Sequence, residues 1–230
     1  MTQASSKIRI QHYADGDSLR QAAVNLIQGA AEAALTQRGA FHIVLAGGST
    51  PKRVYESLKT LDTDWAGWHV YFGDERCLDA NHEDRNSHMA ANAWLDHVAI
   101  PPFQIHPIPA EIGAEVAALA YGQTLSAVGD FDLVLLGLGE DGHTASLFPG
   151  QDWGHDVDAP DALAVHNAPK PPPDRVSLSA RRLSQSKQMV FLVSGETKHA
   201  AMTAWRAGED LPAAAIHSKT WVDVLLDFTF

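Results

Sequence analysis

Along the chain the apolar positions switch repeatedly between strict alternation and a three-to-four-residue period, which is how strands and helices alternate in a largely parallel sheet. Ile8-Arg9-Ile10 predicts a first strand. A helix over residues 18–38 follows, because Leu19, Ala22, Ala23, Leu26, Ile27, Ala30 and Ala34 share one face, and Gly39 is suited to close it. Residues 41–46 form a buried-strand run, Gly47-Gly48-Ser49-Thr50 a turn, and residues 51–58 a helix with Thr50 as N-cap and Pro51 at its first position. Further strands are expected over residues 69–72, 133–137, 175–178, 189–193 and 221–226, and helices over 87–98, 114–128 and 197–207. Residues 151–160 and the proline-rich run 168–173 read as loops. The fold class is α/β.

Composition narrows what such a chain does. With 230 residues and 45% hydrophobic content it can bury one sizeable core, so a single domain over residues 1–230 is expected. Cys77 is the sole cysteine, which excludes an internal disulfide, and the run from Met1 to Lys7 leads into no signal-peptide core. The longest apolar stretch, residues 133–138, is strand-sized, so the expected location is the cytoplasm and no membrane partner is expected. A net charge of −11 disfavours nucleic acid, which needs a cationic footprint. It still allows an anionic metabolite, provided a few cations and backbone N–H groups converge locally. Monomer and dimer both remain open.

Three constellations carry candidate chemistry. In Gly47-Gly48-Ser49-Thr50-Pro51 the paired glycines let a ligand approach the backbone, and the N-terminus of the next helix favours an anion against Gly48, Ser49 and Thr50. The Gly-Lys-Ser/Thr ending of a nucleotide-binding P-loop is missing, and a tight capped turn would use the same residues. In Gly73-Asp74-Glu75-Arg76 a strand runs into charge at its carboxyl end, where open α/β sheets bind ligands. Arg76 is a candidate for an anion or a developing oxyanion, against the alternative of an exposed Glu75/Arg76 pair. The third constellation, residues 137–150, sets Asp141 two residues before His143 after a buried strand. An imidazole there can act as a base near neutral pH, with the carboxylate fixing its tautomer.

Several rival readings fall on the same residues. Gly137, Gly139 and Gly142 match a dinucleotide-binding pattern formally, but Glu140 and Asp141 would stand where a pyrophosphate must approach. His82, His88 and His97 with Asp74 and Cys77 lack zinc-site spacing, so no metal is assigned. No Gly-x-Ser-x-Gly elbow is present. Arg175, opening a strand, and Lys198, after Ser194-Gly195-Glu196, are basic positions whose loops can reach a shared site, although each alone reads as a surface cation.

Taken in order, Ala46-Gly47-Gly48-Ser49-Thr50-Pro51, Gly73-Asp74-Glu75-Arg76, Asn86-Ser87, the run from Gly137 to Gly150 and Ser194-Gly195-Glu196-Thr197-Lys198 resemble the signature set of the 6-phosphogluconolactonase family across nearly the whole chain. The resemblance implies a doubly wound, Rossmann-like sheet with helices on both faces, related to glucosamine-6-phosphate deaminases and ribose-5-phosphate isomerases. It implies hydrolysis of 6-phospho-D-glucono-1,5-lactone to 6-phospho-D-gluconate in the oxidative pentose phosphate pathway, without a cofactor. By motif, His143 is then the catalytic base and Asp141 its partner, Arg76 a substrate or oxyanion ligand, and Gly47, Gly48, Ser49, Arg175 and Lys198 phosphate contacts. The related deaminases carry a carboxylate where this chain has Phe148 and an aromatic where it has Arg76, which favours water attack over ring opening and enolisation. A non-catalytic phosphosugar sensor of the same fold is a further alternative, and the retained Asp141 and His143 speak against it.

Overall fold

A computed structural model describes residues 7–230. Residues 1–6 of the run inspected for a targeting signal lie outside the described residues. The strands are β1 (Lys7–His12), β2 (Phe41–Leu45), β3 (Trp68–Phe72), β4 (Asp74–Arg76), β5 (Ile105–His106), β6 (Phe131–Gly137), β7 (Ala162–Val165), β8 (Arg175–Leu178), β9 (Ser186–Val193) and β10 (Trp221–Leu226). The helices are α1 (Gly16–Arg38), α2 (Ser49–Leu58), α3 (Asn86–Ala93), α4 (Ala114–Leu125), α5 (Ala180–Ser184), α6 (His199–Arg206) and α7 (Pro212–Ala215).

The central sheet has the order β1-β10-β9-β6-β2-β3-β5, with every neighbouring pair parallel. From β2 the chain moves outward through β3 to β5, returns to β6 on the other flank of β2, and moves outward again through β9 to β10. The order therefore reverses between β2 and β6. At such a reversal the loops leaving the two carboxyl ends diverge to opposite faces and open a crevice.

Strand alternation assigns the two faces. Phe41 and Trp68 pack edge to face at 4.7 Å, and Trp94 joins Trp68 at 5.6 Å and Tyr55 of α2 at 6.0 Å. The opposite face carries Tyr71 and Phe131, 5.3 Å apart, with the Arg182 guanidinium of α5 4.1 Å over the Phe131 ring. Both faces are thus closed by helices, as expected of a doubly wound sheet. Two tyrosine hydroxyls then fix the strand ends beneath the crevice: Tyr55 donates to the Ala46 carbonyl and accepts from its N–H, while the Tyr121 hydroxyl of α4 accepts from the Phe72 N–H.

Some sequence expectations need correction. α2 begins at Ser49, and its N-cap is Gly48 at φ 105°, not Thr50; glycine provides the left-handed backbone that threonine resists. The helix expected over residues 87–98 ends at Ala93 and passes into a 3-10 turn at Leu95–His97. The strand β8 does not join the parallel sheet. It pairs antiparallel with β4 and β7 in a separate three-stranded sheet, both partners being too short to leave a periodic signal. Asp15 caps α1 by accepting from the Ser18 N–H, and Gly39 closes it at φ 70° as anticipated. No helix among the described residues is long and apolar enough to cross a membrane.

On β2, β3 and β5 three half-buried histidines stack: His42 on His69 at 4.7 Å and His69 on His106 at 6.0 Å. Burial, reinforced by the neighbouring His69, pushes the His42 imidazole down to about 4, and burial lowers His69 and His106 as well. Tyr71, Asp132 and Arg38 also face His42, and only Asp132 opposes the shift. The unfolded chain takes up these protons first, so stability is fully present above the ordinary value of 6.5 and declines as the pH falls toward about 4. Urea-unfolding midpoints measured across that window are expected to drop, and His42→Gln is expected to flatten the drop.

Candidate active site

The crevice between β2 and β6 is a cleft of about 340 Å³, and the loops following β2, β3, β6 and β9 all reach it. Leu45, Ala46, Gly47 and Gly48 form one wall and Leu136, Gly137, Leu138, Gly139, His143 and Ala145 another. Arg76, Arg175, Lys170 and Lys198 line it with positive charge.

The histidine loop is wound tightly on itself. The Gly139 N–H donates to the His143 carbonyl at 2.7 Å, the Gly142 N–H to the Gly139 carbonyl at 3.1 Å, and the Thr144 hydroxyl to the Gly137 carbonyl at 2.8 Å. These bonds bring the His143 Nδ1 to 2.5 Å from Asp141 Oδ1, while the same oxygen accepts from the His143 backbone N–H. Partial burial alone would raise the Asp141 carboxyl, but the bonds from the His143 ring and backbone hold it below the ordinary carboxylate range. An ionised Asp141 accepts a hydrogen bond from the Nδ1–H, which leaves Nε2 with its lone pair free. Such an imidazole is equipped to accept a proton from water.

Gly139 makes that pairing possible. A Cβ there would stand 1.9 Å from His143 Nδ1 and 2.6 Å from Asp141 Oδ1. Gly47 plays the equivalent part across the cleft, since its Cβ would fall 2.1 Å from Asn86 Oδ1. Asn86, nearly buried at the start of α3, donates through Nδ2 to the carbonyl and side-chain oxygens of Asp74.

Asp74 forms the floor of the cleft. The Ser146 hydroxyl donates to its second carboxylate oxygen at 2.6 Å, which ties the histidine loop to β4. Burial pushes the Asp74 carboxyl above its ordinary range, against the Ser146 bond and the nearby Arg175. Ala145, preceding Ser146, adopts φ 49°, a left-handed conformation that a non-glycine residue keeps only when its neighbours pin it.

The reading of Glu75 and Arg76 as an exposed pair is overturned. Glu75 is fully buried, and its carboxylate accepts from the backbone N–H groups of Arg76, Asn86 and Ser87. It anchors the start of α3 to β4, with Arg85 Nε 3.4 Å away. Arg76 is freed toward the cleft, donating from Nη1 to the Asp84 carbonyl at 2.6 Å. In the β4–β8 register Arg76 stands directly opposite Arg175. Like charges so placed repel, and among the described residues neither has a carboxylate within ion-pair distance. The cleft thus carries unbalanced positive charge in a chain whose net charge is −11.

Comparison with known proteins identifies the family. The family model described as glucosamine-6-phosphate isomerases/6-phosphogluconolactonase matches residues 14–225. The chain belongs to that family. A 6-phosphogluconolactonase of Mycobacterium tuberculosis is 38% identical, with 97% of this chain and 96% of the relative covered, and one from Synechocystis is 40% identical over 74% and 72%. A crystal structure of 6-phosphogluconolactonase from Thermotoga maritima superposes with a TM-score of 0.89 at 28% identity, covering 96% of this chain and all of that one. The Trypanosoma brucei 6-phosphogluconolactonase gives 0.84 at 29%, with 97% of each chain covered. A monomeric glucosamine-6-phosphate deaminase, 20% identical with a TM-score of 0.82, shares the fold.

Within this family fold the structure gathers His143, Arg76, Gly47, Gly48, Arg175 and Lys198 around one cleft, with Asp141 on the His143 ring. Ser49 and Thr50 do not line the cavity; they open α2 at its rim. Lys198 lies 3.9 Å from Glu140, and its loop is tied down by Asp227, which accepts from the Ser194 hydroxyl and the Gly195 N–H. Sequence inspection missed Asp74 as a buried floor and Lys170 as a lining cation. The motif context of the first was visible, whereas the second was hidden in a run read only as a proline loop.

Gly139→Ala is expected to displace the His143 ring and lower turnover by roughly ten- to a hundredfold, on the order of what a misaligned catalytic group costs. Steady-state kinetics beside a circular dichroism spectrum that still reports a folded chain would check this. Unchanged turnover would show that the ring needs no such seat.

Proposed function

We propose that the chain hydrolyses 6-phospho-D-glucono-1,5-lactone to 6-phospho-D-gluconate, in the cytoplasm, with His143 as general base. The observation that carries this reading is the Asp141–His143 pair in the same cleft as two unneutralised arginines and the N-terminus of α2. Lactone hydrolysis needs a base for water, a donor for the carbonyl oxygen as charge develops, and a proton for the departing ring oxygen. The cleft supports each requirement with a named group.

In this reading the phosphate sits at the start of α2, where Gly47, Gly48, Ser49 and Thr50 offer backbone N–H groups and the positive end of the helix dipole. Lys198 and Arg175 add charge from the loops after β9 and at β8. The lactone carbonyl then faces Arg76. His143 Nε2 removes a proton from water as its oxygen bonds to the acyl carbon, and Arg76 stabilises the resulting oxyanion. Collapse of the tetrahedral adduct breaks the bond to the ring oxygen. The imidazolium returns its proton to that leaving oxygen, Asp141 having stabilised the charged ring meanwhile. The acid product then ionises, releasing one proton to solvent.

The 6-phosphogluconolactonase relatives support this assignment over the deaminase reading, and so does the chemistry of position 148. Phe148 packs 4.7 Å from the His143 ring and beneath the Arg175 guanidinium, so no carboxylate stands there. The decisive assay generates the lactone in situ from glucose 6-phosphate and follows 6-phosphogluconate with a coupled dehydrogenase, subtracting the uncatalysed rate. A rate equal to background would end the proposal, and ammonia release from glucosamine 6-phosphate would replace it with deamination. His143→Ala is expected to lose about 10²–10⁴-fold in kcat, the usual worth of a general base. Lys198→Ala is expected mainly to raise KM, because an interaction made equally in ground and transition states changes binding alone.

A further inference from the structure

We infer that Glu75 is a positioning residue for the reaction, one whose buried carboxylate holds both ends of Arg76 and so governs kcat without touching the substrate. This inference rests on the lactonase reading, in which Arg76 receives the developing oxyanion.

Arg76 occupies a difficult place. It ends β4, a strand of three residues at the edge of its sheet, so a neighbouring strand supports it from one side only. That neighbour sets Arg175 directly opposite, and two guanidinium groups in register push each other apart. Arg76 lines the cleft, and its buried Nε has no acceptor among the described residues, which leaves that donor for an oxygen in the cleft. A donor that must meet charge appearing in a transition state is worth most when it is already in place. Strand pairing alone does not fix this one.

Glu75 does, from behind. It is fully buried and does not line the cleft. Oε1 accepts from the Arg76 N–H at 2.9 Å and from the Asn86 N–H at 2.7 Å, and Oε2 from the Ser87 N–H at 2.8 Å. The first bond fixes the backbone of Arg76. The other two fix the chain at the start of α3, just after Asp84, whose carbonyl accepts from Arg76 Nη1 at 2.6 Å. One carboxylate thus holds the root of the arginine directly and its head through the turn that it anchors. Arg85, with Nε 3.4 Å from Oε2, carries the restraint outward by donating from Nη2 to the Ile108 carbonyl at 2.7 Å and from Nη1 to Glu111 at 2.6 Å.

Three N–H groups and a guanidinium converging on two oxygens call for a side chain that only accepts. Glutamine would turn its NH2 either against Ser87 and Arg85 or against Arg76 and Asn86. A buried N–H left facing a donor is relieved by shifting the turn, and the Asp84 carbonyl moves with it.

The test measures kcat and KM for the phosphorylated lactone, and calorimetric affinity for glucose 6-phosphate, in the wild type, Glu75→Gln, Arg76→Ala and the double variant. Arg76→Ala is expected to lose about 10²–10³-fold in kcat, the range for one oxyanion donor. Glu75→Gln is expected to lose roughly ten- to a hundredfold in kcat, as for a misplaced catalytic group, with KM and glucose 6-phosphate affinity unchanged. Added to Arg76→Ala it is expected to cost little more. Should Glu75→Gln not fold, Glu75→Asp carries the same comparison, since it keeps the carboxylate but not its reach, and the same split between kcat and KM is expected. Losses that multiply in the double variant, or substrate and glucose 6-phosphate binding that weaken in step with kcat, would mean a general structural role and overturn the inference. So would a folded Glu75→Gln with the wild-type kcat. A wild type that does not hydrolyse the lactone would overturn the lactonase reading, and this inference with it.

Discussion

The reversal of strand order between β2 and β6 is the constraint from which the site follows. Parallel strands deliver their carboxyl ends to one edge of the sheet, and two neighbours whose connections leave toward opposite faces cannot fill the gap between them. Whatever residues follow β2 and β6 must then face each other. Here these are Gly47-Gly48, which lead into α2, and the run from Leu138 to His143. The small sheet is the second determinant. By pairing β4 with β8 it brings the strand after β3 and the strand after the proline loop against the same opening, so the arginines arrive as a pair.

That pair shows how an acidic protein gathers a cationic cleft. Arg76 and Arg175 sit opposite each other in register with no ion-pair partner among the described residues, and burial pushes the carboxyl of Asp74, in the floor, above its ordinary range. A fully ionised Asp74 would cancel part of the field that an anionic substrate needs. Its hydrogen bonds to Asn86 and Ser146 make it a structural joint, while burial weakens its claim on the arginines. The chain's net charge of −11 sets this cationic cleft apart.

The elements with clear periodicity were legible from the sequence: α1 with its closing Gly39, the apolar runs of β2, β6 and β9, and the glycine loops between strand and helix. A pairing between residues close in sequence was also legible. Asp141 and His143 are two positions apart, and a tight loop is enough to join them. What escaped depends on distant partners. β4 and β7 exist as strands because β8 lies between them, and their lengths of three and four residues carry no period of their own. Glu75 resembled a surface charge because its partners, the N–H groups at the start of α3, lie eleven and twelve residues further along. Lys170 was obscured by its setting, since a proline run reads only as connection.

The space beside Gly139 is occupied by the imidazole of His143. Glycine-rich segments are commonly taken as supple, yet here the missing methyl group is the seat of another side chain, and the backbone that was freest in the unfolded chain becomes the least able to yield in the folded one. Surface loops usually absorb sequence drift with ease. At Gly139 that ease is lost, because any side chain there must evict the ring it shelters.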